Sequence, residues 1–308
     1  MKPQRIRVLL NASSGKSAGE DRGRIKNVLE SAFQNHTLSA TFELLKGEEL
    51  RAGAERALRR VTDGELDAIV VGGGDGTIST VSSVIAGSDV PLGIIPLGTL
   101  NHFAKDLKIP MAIHEAVAII AAGHLRSVDV GEVNGQIFVN NSSIGLYPYL
   151  VLDRERRTSR VGLPKWLALI MASLQVLRYF PLRRLSVHTA SGTETYRSPC
   201  VFIGNNVYRL SGRSLGTRDR LDEGQLSLYV AKQQSRLALL WLALRSVIGF
   251  LDHKTDLRVF NLPAVEISSY HRRLLVALDG EIDIIRSPLH YRIRSAALRV
   301  FAPSPTGI

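Results

Sequence analysis

Directly after the β-branched run Val70-Val71, the chain reads Gly72-Gly73-Gly74-Asp75-Gly76-Thr77. A turn needs one glycine. Several of them around an aspartate and a threonine leave backbone N–H groups open to something bulky and anionic. A buried strand before the run and a helix after it put a partial positive charge at the same place. Gly73, Gly74, Asp75, Gly76 and Thr77 are therefore read as phosphate-binding residues, with Thr77 offering a hydroxyl. The Asp75 carboxylate repels bare phosphate, so it works through a metal ion or holds the loop. The plain alternative is a tight strand-to-helix turn with Asp75 as the helix cap. That alternative explains one residue and leaves the glycines unexplained.

The device recurs. The apolar run Ile94-Ile95-Pro96 leads into Gly98, Thr99 and Asn101, and a helix follows. Thr99 or Asn101 as a simple cap is the alternative, but two such turns on neighbouring strands favour a shared anion site. The "SSGKS" at 13–17 is not a Walker loop, because the glycine required five residues before Gly15 is Leu10. It still follows a strand and opens a helix.

Phosphoryl transfer to a hydroxyl needs positioned phosphates, neutralised charge and a base. Leu278-Asp279-Gly280-Glu281 places two carboxylates two residues apart at the end of an apolar strand. Both face one side if the chain stays extended. The alternative is a β-turn with solvated acids. The histidines show no metal-ligand spacing.

These residues need a scaffold, and the first part of the chain supplies an alternating one. Strands are expected at 7–11, 38–45, 66–71 and 91–96, and helices at 21–33, 48–61, 78–86, 101–107 and 112–122. Ile25, Val28, Leu29, Ala32 and Phe33 form one helical stripe. The continuous apolar run at 66–71 suits a parallel sheet covered on both faces. After about residue 125 the pattern changes. "SVDVGEVNGQIFVNN" is two alternating runs around Asn134-Gly135, a hairpin signal. Short strands follow at 185–189, 200–203, 226–230, 264–268, 274–278 and 298–301. The expected fold class is α/β plus mainly β. It has an N-terminal doubly wound nucleotide-binding domain (1–125) and a C-terminal antiparallel β-sandwich-type domain with inserted helices (126–308). Its last strand is left open to return to the first domain.

The composition narrows the partners. Of 308 residues, 39 are Lys or Arg and 28 are Asp or Glu, a formal charge of +11. That attracts nucleic acid, an anionic membrane or a phosphorylated ligand. The arginines are not interleaved with aromatics, which counts against nucleic acid. Apolar stretches beginning at Trp166 and Leu237 are interrupted by Arg178 and Arg245. They fall short of the roughly 20 residues that span a bilayer. "DRERRTSR" at 153–160, with Arg178, Arg183 and Arg184, flanks the first stretch with cations suited to anionic headgroups. A solvated charge run is the equal alternative. The lone Cys200 and the absence of a signal-peptide core point to a reducing compartment. The expectation is a cytoplasmic protein, peripherally membrane-associated, with a homodimer left open.

"GGDGT" (73–77), "PLGTLNHFAKDLKIP" (96–110) and "LDGE" (278–281) together resemble the diacylglycerol kinase catalytic-domain family, the bacterial soluble lipid kinase branch related to sphingosine and ceramide kinases. "NASSGK" from Asn11 is similar to that family's N-terminal loop, and "LDEGQLSL" from Leu221 to its LDDG-type segment. "GGDGT" alone is shared with NAD kinases and phosphofructokinases; the five together are more specific. The resemblance implies ATP in the cleft between domains, on the Gly74–Thr77 loop and near Thr99, and adds Asn11 and Asn101 to the binding set. It implies a general base from Glu281 or Asp279. It also implies a structural Mg²⁺ involving Glu223, with backbone groups around Arg220 and Gln225. The implied activity is γ-phosphate transfer from ATP to a lipid hydroxyl. An NAD kinase-like enzyme and a non-catalytic binding module are the alternatives. Ser79 and Thr80 stand where family members often carry an Asn-Glu pair, and His102 where an aspartate is usual.

Overall fold

The computed structural model describes residues 2–12, 20–145, 148, 182–209, 216–232, 235 and 257–304. The segment 13–17, the charge run 153–160 and the apolar stretches from Trp166 and Leu237 lie outside the described residues. Among the described residues no helix is long and apolar enough to cross a membrane. The chain divides into two units, Met1–Val130 with Arg294–Ile308, and Gly131–Ile293.

The first unit alternates strand and helix. Strand β1 (Arg5–Asn11) leads to helix α1 (Glu20–Asn35) and β2 (Ser39–Leu45). A 3₁₀ turn at Gly47–Glu49 opens α2 (Leu50–Thr62). Then come β3 (Ala68–Gly73), α3 (Asp75–Ile85), β4 (Pro91–Pro96), α4 (His102–Asp106) and α5 (Ile113–Ala122). β2, β1, β3 and β4 lie side by side in parallel. Every residue of β3 is buried, as its unbroken apolar sequence requires. Ile6, Val8, Val70 and Ile95 of the sheet pack with Leu29 and Phe33 of α1 and Val117 and Ile120 of α5. Asp67 ties down the start of β1. Its carboxylate accepts the N–H groups of Gln4 (2.8 Å) and Arg5 (2.7 Å) and the Arg5 guanidinium (2.8 Å). The guanidinium contact chiefly holds the Asp67 carboxyl below its usual value.

The remaining strands are β5 (Leu125–Val133), β6 (Gln136–Phe138), β7 (Asn141–Gly145), β8 (Arg183–Thr189), β9 (Gly192–Ser198), β10 (Cys200–Asn205), β11 (Leu226–Ala231), β12 (Leu257–Leu262), β13 (Ala264–Ser269), β14 (Arg273–Leu278), β15 (Glu281–Arg286) and β16 (Leu289–Phe301). In the second unit they pair antiparallel. One sheet runs β12-β11-β10-β7-β14-β15, and the beginning of β16 continues through β13 and β8 to β9. Alternate residues of both sheets share one core, with Ile144, Val201, Ile203 and Val276 meeting Val187, Ile267 and Tyr291. Burial pushes the Tyr291 phenol well up, and its hydroxyl bonds the Ser142 hydroxyl at 2.9 Å. The end of β16 belongs to the first unit, where Arg299 and Val300 pair in parallel with Pro91 and Leu92 of β4. The fold is thus the expected one: a mixed α/β unit and an antiparallel β unit.

The differences from expectation have local causes. The helix expected at 48–61 splits into a 3₁₀ turn and α2. The helix expected from Ile78 begins at Asp75, inside the glycine run. β9 was missed because "GTETYRS" is almost wholly exposed and carries no apolar alternation. β7, β12 and β15 were also missed, and the strand expected at 298–301 begins at Leu289. β15 starts at Glu281, so the chain turns back at "LDGE" rather than continuing extended.

Candidate active site

β3 ends at Gly73, Gly74 caps α3, and Asp75 is its first residue. β4 runs alongside, with Pro96 opposite Gly73, so the turn at 97–101 leaves the same edge of the sheet. The two turns touch. The Leu97 N–H donates to the Gly73 carbonyl at 3.0 Å. Gly98 packs on Gly74 so closely that a Cβ on Gly98 would overlap the Gly74 Cα. Asn101, buried and left-handed (φ 51°), folds back on Gly98. It accepts that residue's N–H (3.0 Å) and donates to its carbonyl (2.8 Å). The Phe103 N–H donates to Oδ1 of Asp75 at 3.3 Å. Asp75 is therefore not the cap; its carboxylate links the first turn to the second.

The glycines acquire an internal reason. A Cβ on Gly72 would lie 2.5 Å from the Leu10 side chain, and one on Gly73 2.5 Å from Thr77. Close packing of the chain on itself, rather than ligand approach, explains these two positions. Thr77 is buried, and Asn11 at the end of β1 donates to its hydroxyl at 2.8 Å. Asn11, Gly73, Gly74, Asp75, Thr77, Gly98 and Asn101 thus form one connected set at the carboxyl edge of the parallel sheet, where open α/β sheets bind ligands. Gly76 lies in the first turn of α3, and Thr99 is exposed on the second turn.

In the second unit, Asp279 (φ 50°) and Gly280 (φ 92°) form the two-residue turn of the β14–β15 hairpin, with Leu278 opposite Glu281. Two consecutive left-handed residues make a type I′ turn, which suits Asp-Gly. This corrects the extended reading, in which both acids shared a face. The turn of the alternative reading is what forms, and its solvated acids are corrected at Asp279 alone. The Asp279 carboxylate accepts the N–H groups of Val139 (2.8 Å), Asn140 (2.8 Å) and Asn141 (2.9 Å). Glu281, by contrast, is exposed.

The same segment is held on its carbonyl side by a residue the sequence did not flag. Arg218 is 3% exposed. It donates to the Val139 carbonyl (2.8 Å), the Asn205 carbonyl (3.1 Å) and Oδ1 of Asn140 (2.7 Å), and stacks on the Tyr208 ring. The Tyr208 hydroxyl and the Asn205 N–H donate to the Asn140 carbonyl, and the Asp279 N–H to that of Asn141. Every backbone polar group of 139–141 is thereby partnered, which makes the platform under the acid turn rigid. The paired asparagines 140–141 and 205–206 were the available signal.

With this geometry in view, comparisons with known proteins are informative. Residues 5–133 match the family model of the diacylglycerol kinase catalytic domain, and residues 153–302 that of the YegS C-terminal NAD kinase β-sandwich-like domain. The chain carries a diacylglycerol kinase catalytic domain followed by a YegS-type C-terminal domain. A diacylglycerol kinase of Bacillus subtilis (strain 168) is 27% identical over 286 residues, 90% of each chain. One of Staphylococcus aureus (strain MRSA252) is 25% identical over 305 residues, 98% of this chain and 93% of that one. A crystal structure of a diacylglycerol kinase from Bacillus anthracis superposes with a TM-score of 0.68 at 20% identity, covering 100% of both chains. At that identity it speaks for the fold alone.

Two places were expected to take Mg²⁺ in a chain of this family. Asp75 offers one hard carboxylate at the rim of the glycine turns, which fits a Mg²⁺ carried by nucleotide phosphates, since such an ion needs one or two carboxylates. The 220–225 segment fits less well. Asp222 is taken by Arg220 (3.0 Å). Glu223 Oε2 accepts the Val207 N–H (3.3 Å), and the Gln225 carbonyl accepts the Asn206 N–H (3.1 Å). Among the described residues no three His, Cys, Asp or Glu side chains are placed to share an ion. These donors face protein groups, so no metal is assigned to the segment.

Proposed function

We propose that this chain is an ATP-dependent lipid kinase, transferring the γ-phosphate to a lipid hydroxyl of diacylglycerol or a related lipid. The observation that carries the reading is the junction of the two glycine turns, with Gly74 against Gly98 and Asp75 bonded to the Phe103 N–H, at the carboxyl ends of β3 and β4. Open N–H groups at the start of α3 hold phosphate oxygens, and Thr77 and Asn101 fix the shape of the cradle. A Mg²⁺ ion brought with the nucleotide, against Asp75, would neutralise charge on the transferring group.

The base comes from the acid turn. Glu281 is the preferred candidate because it is exposed, while the Asp279 oxygens are committed to three N–H groups. The lipid hydroxyl oxygen forms a bond to the γ-phosphorus, the bond to the bridging oxygen breaks, ADP leaves, and the proton passes to the carboxylate. The relatives' names, diacylglycerol kinase, support this substrate class. The +11 charge supports work at an anionic membrane surface, with the protein peripheral and cytoplasmic.

The test is a radiolabelled-ATP screen over diacylglycerol, sphingoid base, ceramide and phosphatidylglycerol, with and without Mg²⁺, and with NAD as a further acceptor. Label should enter one lipid and require Mg²⁺. Label in NAD and in no lipid would replace the reading with an NAD kinase. ATP binding without transfer to any acceptor would make the chain a binding module.

A further inference from the structure

The second unit carries an accumulation of cations that the proposed chemistry does not use. Arg184 of β8 stands directly opposite Arg197 of β9, and Arg273 of β14 directly opposite Arg286 of β15. All are exposed. Like charges placed directly across a strand pair destabilise a sheet. Each pair in isolation would be a minor cost, but the two lie at the same end of the unit. Leu185, beside Arg184, pairs with Ser269, and the Ser269 N–H donates to the hydroxyl of Ser287, which follows Arg286 (3.0 Å). The Ser287 N–H in turn bonds the carbonyl of Arg272, which precedes Arg273 (3.0 Å). Between Ser269 and Arg272 projects Tyr270, 96% exposed.

Acids do not offset this charge. Arg184, Arg197, Arg272, Arg273 and Arg286 form no ion pair with any described residue, whereas Arg209, Arg220, Arg258 and Arg292 of the same unit each have an acidic partner. Leu185 and Leu274, beside them, face the shared core, so one pair leaves the outer face of each sheet. What they share with the exposed tyrosine is this end of the unit, and its missing counter-charges come from outside.

We infer that this end of the second unit is a docking surface for anionic phospholipid headgroups. The inference rests on the lipid kinase reading, which sets the choice of occupant. Guanidinium groups bind lipid phosphates bidentately. A lone exposed tyrosine suits the headgroup layer, where an amphipathic ring sits with its hydroxyl in water. Arg273 and Leu278 bound the same strand, so the surface lies at the far end of the hairpin from the acid turn. It is an anchor separate from the reacting groups.

The test is sedimentation of the full chain with vesicles of pure phosphatidylcholine and of phosphatidylcholine with phosphatidylglycerol, at low and high salt. The variant is R184Q/R197Q/R273Q/R286Q, with Y270S added separately. Wild type should bind the anionic vesicles and release as salt rises. The quadruple variant should partition about 100-fold more weakly or worse, from the usual contribution of each basic residue at such a surface. Its thermal stability should be unchanged or higher, because two repulsive pairs are gone. Its turnover on lipid dispersed in detergent should match wild type. Unchanged partitioning of the variant would overturn the inference while leaving the kinase reading intact. A loss of poly(U) retention with vesicle binding unaffected would assign the surface to nucleic acid and overturn it too. Absence of turnover on every lipid, with vesicle binding as expected, would instead sink the kinase reading.

Discussion

Arg218 and Asp279 hold one segment, 139–141, the first by acceptors of two of its residues and the second by the N–H groups of all three. The guanidinium takes the Val139 carbonyl and the Asn140 side chain, and the carboxylate takes the N–H groups of Val139, Asn140 and Asn141. A buried cation and a half-buried anion thus meet on one piece of backbone.

Arg218→Met should therefore cost roughly 2–4 kcal/mol, since buried acceptors lose a charged donor. Arg218→Lys should recover little of it, because an ammonium cannot span the three acceptors in one plane. Urea unfolding of the full chain measures both. A lysine variant as stable as wild type would show that charge alone matters.

For the acid turn, Glu281→Gln should slow transfer by roughly 10²–10⁴-fold, the usual share of general-base catalysis. ATP affinity and melting temperature should be kept. Asp279→Asn should lower the melting temperature, because an amide cannot accept three N–H bonds as a carboxylate does. Single-turnover kinetics with nucleotide titration separates the roles. Near-normal transfer in Glu281→Gln, with a rate collapse in Asp279→Asn, would move the base to Asp279.

Asp75→Asn keeps an oxygen for the Phe103 N–H and removes the charge. The fold should hold while transfer falls by roughly 10²–10³-fold, as for loss of a charge-stabilising group. In parallel, chelating divalent ions should abolish transfer and leave the melting temperature of the nucleotide-free protein unchanged. A drop in melting temperature on chelation alone would reveal a resident ion, and 220–225 would be the place to look.

Gly98→Ala should part the two turns. Its Cβ would meet Gly74 and lie 2.7 Å from Asn101 Oδ1. Overpacking of this kind costs about 1–3 kcal/mol, and ATP affinity should fall with it. Gly47→Ala is the control, as nothing lies within 4 Å of its added Cβ. Equal ATP affinity in both variants would remove the junction from the binding site.

Asp67 gives the fold a pH dependence. Its carboxyl is held below the ordinary value, chiefly by Arg5, so its stabilisation is full above the unfolded-state value and fades as acid protonates it in the fold. Asp67→Asn should thus lower the melting temperature at neutral pH. The difference from wild type should shrink as pH drops through the range below about 4. A difference independent of pH would mean that the charge is not what holds β1.

Much of the fold was legible because its strands are apolar throughout. β4 could be bounded to the residue, and Asn134-Gly135 announced its hairpin. Asp279-Gly280 is the same kind of signal, yet its acids drew attention as chemistry, and the turn they make stood only as the alternative. β9 was illegible for a simpler reason: its partner is a strand edge, not a core, so its side chains need not be apolar. Arg218 was hidden because an arginine in "GTRDRLDEG" looks solvated; only burial against Val139 and Asn140 separates it from its neighbours. The glycine run stood out, but its spacing alone could not distinguish a ligand's approach from that of Leu10, Thr77 and Gly98.

Val300 pairs with Leu92, and Phe301 packs into the core of the first unit. During synthesis, residues 97–298 must leave the ribosome before that partner exists. Until then β4 offers a naked strand edge to any neighbouring nascent chain. The first unit is therefore the last to be completed, although it is the first to be translated, and a chain cut short before its last strand keeps that edge open.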